Sequence, residues 1–193
     1  MNTALIVIDF INDIAHSDGK IATAAPFINK NKTIQHANKL INIAREKQFL
    51  LLFIKVGFST DYRECPENSP VFGKVKDSQA LKLGTWGTAF HEELAVLPHD
   101  IVITKHRVSA FYGTSLDVFL RTNQINTILL SGVATNMTIT STAREAHDRD
   151  YNVLIIEEAC AAATEEIHRN SLELLSRVAN VIPLSQLETE MLY

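Results

Sequence analysis

Two cysteines, Cys65 and Cys160, are too few for a disulfide framework and suit a reducing compartment. Clusters of Lys and Arg are also lacking. With a net charge of -4 and a pI near 6.0, this argues against a nucleic-acid or anionic-membrane surface. Apolar runs are no longer than a buried strand, far short of the roughly 20 residues that span a bilayer. The N-terminus enters a strand-like run at once, with no charged leader or cleavage site, so a cytoplasmic location is expected. There is no internal repeat and no low-complexity segment. Neither a GxGxxG nor a Walker loop occurs, which removes the main support for dinucleotide or nucleotide cofactors, and no cofactor is expected.

What is present reads as one domain over 1–193. That length is enough to bury roughly 70% of the unfolded chain's surface, and an apolar share of 46% supplies the core. Short apolar runs alternate with amphipathic stretches. Thr3–Phe10 (TALIVIDF) and Phe49–Val56 (FLLLFIKV) have the continuous apolarity of strands buried on both faces. Further strands are expected at Ile101–Thr104, Thr127–Ser131, Asn152–Ile156 and Asn180–Leu184. Helices are expected at about Lys32–Gln48, where Ile34, Ala37, Leu40, Ile41 and Ala44 share a face, and near Ser115–Thr122, Met137–Arg149 and Thr164–Arg177. The alternation predicts an α/β fold, a parallel sheet with helices on both sides. One long connection, from about Gly57 to Gly87, is expected to shape a pocket.

Doubly wound sheets bind ligands beyond the carboxyl ends of their strands. The polar residues there are Asp9 with Asn12 and Asp13, Lys105 with His106 and Arg107, the Gly132–Thr138 turn, and Glu157 with Glu158. An aspartate and a lysine at strand ends could position and transfer a proton, although spacing alone does not bring them together. The strand-to-helix turn at Gly132–Asn136 presents backbone N–H groups near the positive end of a helix dipole, suited to an anion or oxyanion. The plain alternative is a loop with Thr135 or Asn136 as a helix cap.

Three stretches, ALIVIDFIND, VITKHRVSAFYGTSLDVFLR and LLSGVATNMTITSTAREAHDRDYNVLIIEEACAA, resemble the isochorismatase-like (cysteine hydrolase) superfamily, in matching order over nearly the whole chain. The resemblance implies a three-layer α/β/α fold with a six-stranded parallel sheet, commonly assembled as homodimers or tetramers, and a small-molecule substrate. It places the family's general acid or base on Asp9 and its lysine on Lys105. A cis peptide falls on Val133–Ala134, with the Ala134 and Thr138 amides as oxyanion donors. The family's nucleophilic cysteine falls on Thr138, a departure. Trp86 and Phe111, and less directly Phe10 and Tyr112, fall beside loops that wall the family's pocket. Metal-binding relatives use an Asp and histidines between the first two motifs. This chain has Asp61 but no histidine between His36 and His91, so no such metal is expected.

The threonine bears on mechanism. An internal threonine hydroxyl stays protonated near pH 7, which disfavours an amidase of the nicotinamidase or carbamoyl amidohydrolase type working through an acyl-enzyme. Isochorismatases proper also lack the cysteine and cleave a vinyl ether with the aspartate as acid. The sequence therefore leaves three readings: Asp9-driven vinyl-ether hydrolysis of isochorismate or a related small carboxylate, an amidase that uses or has lost the nucleophile at 138, and a weakened ligand-binding member. Cys160 reads as structural and Cys65 as an exposed loop residue. His106 with Arg107, and Glu165, Glu166, His168 and Arg169, read as solvated faces. Glu157 and Glu158 read as supporting or helix-capping residues.

Overall fold

A computed structural model describes residues 2–190, apart from the side chains of Glu188 and Glu190. Met1 and residues 191–193 of the expected 1–193 domain lie outside the described residues. The strands are β1 (Thr3–Ile8), β2 (Leu50–Val56), β3 (Ile101–Lys105), β4 (Thr127–Val133), β5 (Asn152–Ala161) and β6 (Asn180–Ile182). All pair in parallel, in the order β3-β2-β1-β4-β5-β6. Strand order therefore reverses between β1 and β4, where a doubly wound sheet opens its crevice.

Side chains alternate across this sheet, and each face finds its own cover. On one side Leu5, Val7, Phe53 and Leu129 pack under α2 (Ala25–Asn31), α3 (Thr33–Glu46) and α8 (Leu184–Glu190). On the other, Ala4, Ile6, Ile8, Leu52 and Leu130 pack under α5 (Leu116–Thr122), α6 (Thr140–His147) and α7 (Glu165–Leu175). The result is the expected three-layer α/β/α fold. Within α3, the five apolar residues named from periodicity are all buried. At the start of α7, Thr164 accepts a hydrogen bond from the Ile167 N–H at 3.2 Å, and Glu165 and Glu166 in the first turn suit the helix dipole. Among the described residues no helix is long and apolar enough to cross a membrane.

The boundaries differ from expectation where local geometry intervenes. β1 stops at Ile8 because Asp9 adopts φ +60°, which turns the chain out of the strand before Phe10. β6 stops at Ile182 because Pro183 has no N–H to offer the ladder, and α8 starts directly after it. β5 runs past Ile156: its register against β4 shifts between Leu130 and Gly132, and pairing resumes at Cys160 and Ala161. The Ser131 hydroxyl bridges that irregularity by donating to the Ala159 carbonyl at 2.7 Å. The helices α1 (Asn12–Ala15), α2 and α4 (Val75–Ser78) and the single turn Trp86–Thr88 are too short to show periodicity in sequence.

Gly132 is the closest approach between β1 and β4. A Cβ built there would lie 2.4 Å from the Ile8 carbonyl oxygen, in a part of the sheet with no room to yield. Gly132→Ala is therefore expected to cost roughly 1–3 kcal/mol, as overpacking in a rigid core does, measured as a lower urea midpoint at unchanged m-value.

Candidate active site

Asp9, the last polar residue reached by β1, is 1% exposed, and its carboxylate is held from three directions. The Val56 N–H, at the end of β2, donates to Oδ1 at 2.7 Å. Lys105 Nζ, at the end of β3, lies 2.8 Å from Oδ2. The Thr138 hydroxyl donates to the same Oδ2 at 3.1 Å. All three partners are donors, so the carboxylate acts only as an acceptor. The backbone fixes this position too, since the Asp9 N–H donates to the Ile54 carbonyl at 2.8 Å. A left-handed φ at a non-glycine residue costs conformational energy and is typical of functional positions.

Lys105 is equally buried and equally occupied. Besides Asp9, its ammonium donates to the Arg107 and Val108 carbonyls, each at 3.1 Å. Three protons meet three acceptors, the condition under which a charge tolerates burial. Register explains the meeting: Val56 and Lys105 are paired across β2 and β3, and both face the end of β1.

Thr138 stands in a π-helical turn, Thr135–Ile139, that leads directly into α6. The Ala134 carbonyl accepts from the Met137 and Ile139 amides at 3.1 and 3.2 Å and so closes the turn. The preceding Val133–Ala134 peptide is cis, at the position the family resemblance implies. Below the turn, the Thr135 hydroxyl meets His168 Nδ1 at 2.8 Å, both groups buried. His168 thus belongs to the support of the turn and not to a solvated face. Burial lowers its imidazole below the ordinary 6.5, with Glu165 opposing the shift.

These residues open onto a cavity of about 330 Å³. Asp9, Lys105, Val133, Ala134 and Thr138 line its floor, and Val71, Phe72, Val75 and Leu81 bring the long connection in as a wall. That connection is not irregular throughout. Phe58, Tyr62, Cys65, Phe72, Val75, Ala80 and Leu81 form a core of their own with Ile11 and Val56. Cys65 is consequently buried, not exposed, with its thiol against the Phe72 carbonyl at 3.4 Å. Asp13 Oδ2 accepts from the Leu81 N–H at 2.7 Å, and Asn12 Nδ2 donates to the Trp86 carbonyl at 2.9 Å, so the two polar residues after Asp9 anchor the wall. His106 Nδ1 meets the Gly57 carbonyl at 2.6 Å and Arg107 Nη1 donates to the Glu64 carbonyl at 3.0 Å, roles in loop anchoring that a solvated face would not have.

The four aromatics expected at the pocket do not line this cavity. Phe10 is fully buried beneath α2 and α3, and Phe111 packs in the opposite core against Tyr151. Trp86 is half exposed, edge-on to His16, and Tyr112 is exposed. The turn at Asp9 sends Phe10 inward, and the fold of the wall supplies Val71, Phe72, Val75 and Leu81 instead. Ile14, Ile21, Ala24, Val56, Val108 and Met137 also line the cavity. Nothing in local sequence marks them, beyond the nearness of Ile14, Val108 and Met137 to Asp9, Lys105 and Thr138. Cys160 is wholly buried and its thiol is pushed up to about 12 by burial, so it is inert. Glu158 accepts from the Leu184 N–H at 2.9 Å and caps α8.

Residues 3–186 match the isochorismatase domain family. An uncharacterized isochorismatase family protein, YecD of Escherichia coli, is 36% identical, over 93% of this chain and 90% of its own length. The ureidoacrylate amidohydrolase RutB of Cronobacter turicensis is 33% identical, over 81% of this chain and 73% of its own. Among solved structures, the pyrazinamidase/nicotinamidase of Streptococcus mutans superposes with a TM-score of 0.79 at 27% identity, covering 93% of this chain and 99% of that one.

Two measurements check the site's construction. Lys105→Met leaves the Asp9 carboxylate and two carbonyls without their buried donor, and is expected to cost roughly 3–5 kcal/mol of stability. Adding Asp9→Asn to it should cost less than the two single changes together, because the pair acts as a unit. For His168, the neutral ring is the one the fold accommodates, whereas the unfolded chain takes up a proton below 6.5. Its contribution is thus present above that value and lost as pH falls. The urea midpoint should drop as pH falls below about 6.5, and less steeply in His168→Gln.

Proposed function

Because the chain belongs to the isochorismatase family of hydrolases, we propose that it hydrolyses the acyl bond of a small amide, with Asp9 as general base and water as the attacking group. The donor set around the Asp9 carboxylate carries this reading. Both oxygens accept from N–H, ammonium or hydroxyl groups, the arrangement of a base awaiting a proton.

Thr138 is the member of the trio closest to the cavity, at 6% exposed against 1% for Asp9. Its hydroxyl donates to Asp9 and keeps lone pairs to accept from a water. As that water attacks the carbonyl carbon, its proton passes to Thr138 while the Thr138 proton passes to Asp9. The oxyanion that forms faces the amides of Ala134 and Thr138, at the N-terminal end of the helical turn, where the backbone carries partial positive charge. Collapse of the tetrahedral adduct breaks the C–N bond, and Asp9 returns its proton to the departing amine. Lys105 holds the Asp9 carboxylate in place and balances its charge. The amidohydrolase and nicotinamidase among the relatives supply the bond class.

Vinyl-ether cleavage has less support. It opens on a protonated Asp9, and a proton on Oδ1 would face the Val56 N–H, while one on Oδ2 would face Lys105 and Thr138. Attack by the threonine oxygen itself makes the same demand on Asp9 as a base and differs in leaving an acyl adduct on Thr138.

A panel of small primary amides with ammonia release as readout tests the proposal. Asp9→Asn should lower kcat/KM by roughly 10²–10⁴. Thr138→Ser, which keeps the relaying hydroxyl, should stay near wild type, and Thr138→Val, which removes it, should fall about as far as Asp9→Asn. An acyl adduct on Thr138 by mass spectrometry would make the threonine the nucleophile. Full activity in Asp9→Asn would sink the reading altogether, and absence of turnover with every amide would favour a binding protein.

A further inference from the structure

We propose that the cavity selects an uncharged, predominantly apolar acyl compound and excludes substrates that carry a carboxylate. The proposal deepens the amide-hydrolase reading and rests on it for the reacting group, but its own ground is the charge inventory of the cavity.

Among the described residues that line the cavity two are charged, Asp9 and Lys105, and they neutralise each other at 2.8 Å. A substrate carboxylate would need a cation, and Lys105 has none of its three protons to give. They are committed to Asp9, the Arg107 carbonyl and the Val108 carbonyl. Taking one away would strand a buried acceptor. Arg107 is near in sequence but does not line the cavity, and it donates to the Glu64 and His106 carbonyls. The remaining inner wall is hydrocarbon and thioether: Ile14, Val56, Phe72, Leu81, Val133 and Met137. At the rim, Thr23 adds one hydroxyl, and Ile21 and Val71 are exposed apolar side chains.

An anion entering this space exchanges its hydration for an apolar wall and an ion pair that is already closed, which is unfavourable. A branched alkyl group gains by the same transfer. With a volume of about 330 Å³, at the low end for ligand pockets, the cavity suits a small acyl group. Val71 stands at the mouth. At 47% exposed it has room for a longer side chain without disturbing the core of the wall.

Isovaleramide and malonamate share one reacting amide and differ in an isopropyl group against a carboxylate. Ammonia release gives kcat/KM for each, and the shift in melting temperature of the wild-type protein reports binding without turnover. The expected outcome is a preference for isovaleramide on the order of a hundredfold, the scale on which an unpaired buried charge discriminates. If both are turned over and malonamate is used as well or better, the apolar-substrate proposal is overturned while the hydrolase reading stands. If neither is turned over and only isovaleramide raises the melting temperature, the hydrolase reading fails and the selectivity stands. If neither is bound nor turned over, both fail. Val71→Arg supplies the missing cation and is expected to cut the preference about tenfold or more at unchanged fold. An unchanged ratio would mean that the lack of a cation is not what selects, and would overturn the proposal.

Discussion

The Asp9 carboxylate is the point at which the ends of three strands and one helical turn are tied. It joins β1 to β2 through the Val56 amide, to β3 through Lys105, and to the turn before α6 through Thr138. A buried ion pair is weak support for stability by itself, because desolvation offsets attraction. Its worth here is positional. Every oxygen and proton of the pair has a partner, so the pair has one low-energy arrangement, and the crevice between β1 and β4 inherits that arrangement. The φ of +60° at Asp9 and the clearance at Gly132 are backbone conditions for the same knot. The first swings the carboxylate out of the strand direction, and the second lets β4 come close enough to present its turn.

Much of the scaffold was legible in the sequence. Strands buried on both faces need unbroken apolarity, so β1 and β2 announce themselves, and α3 shows its buried stripe. The motifs around Asp9, Lys105 and Gly132 also pointed to one end of the sheet. What could not be read was contact. That Lys105 reaches Asp9 depends on the β2–β3 register, which side-chain type alone does not encode. The cavity wall depends on how residues 57–87 fold back, an outcome of many weak contacts without period. The aromatics placed by family resemblance were therefore a poor guide: Phe10 and Phe111 went to the cores, while Val71 and Phe72 took the wall. His168 misled for a related reason. It sits among helix charges, yet its own position on α7 faces Thr135 and Phe27.

Replacing a thiol by a hydroxyl at position 138 moves the chemical burden without emptying the site. A thiolate carries its own reactivity, whereas a threonine hydroxyl hands protons along and depends on its neighbour. In the mechanism proposed above, the carboxylate then becomes the group on which turnover depends. Cys160, fully buried within β5 and paired with Gly132 of β4, supplies no substitute thiol.

The wall built from residues 57–87 has a consequence for how such a protein diversifies. It has its own small core and is pinned to the sheet by Asp13, Asn12, His106 and Arg107, outside the Asp9–Lys105–Thr138 trio. The wall residues Val71, Phe72, Val75 and Leu81 and the trio to which we assign the proton transfers are therefore carried by separate stretches of chain. Changes in Val71, Phe72 or Val75 alter what the chamber admits while the strand ends keep their geometry. A lineage with this division of labour varies the chamber through one loop, and retains the Asp9–Lys105–Thr138 contacts while it does so.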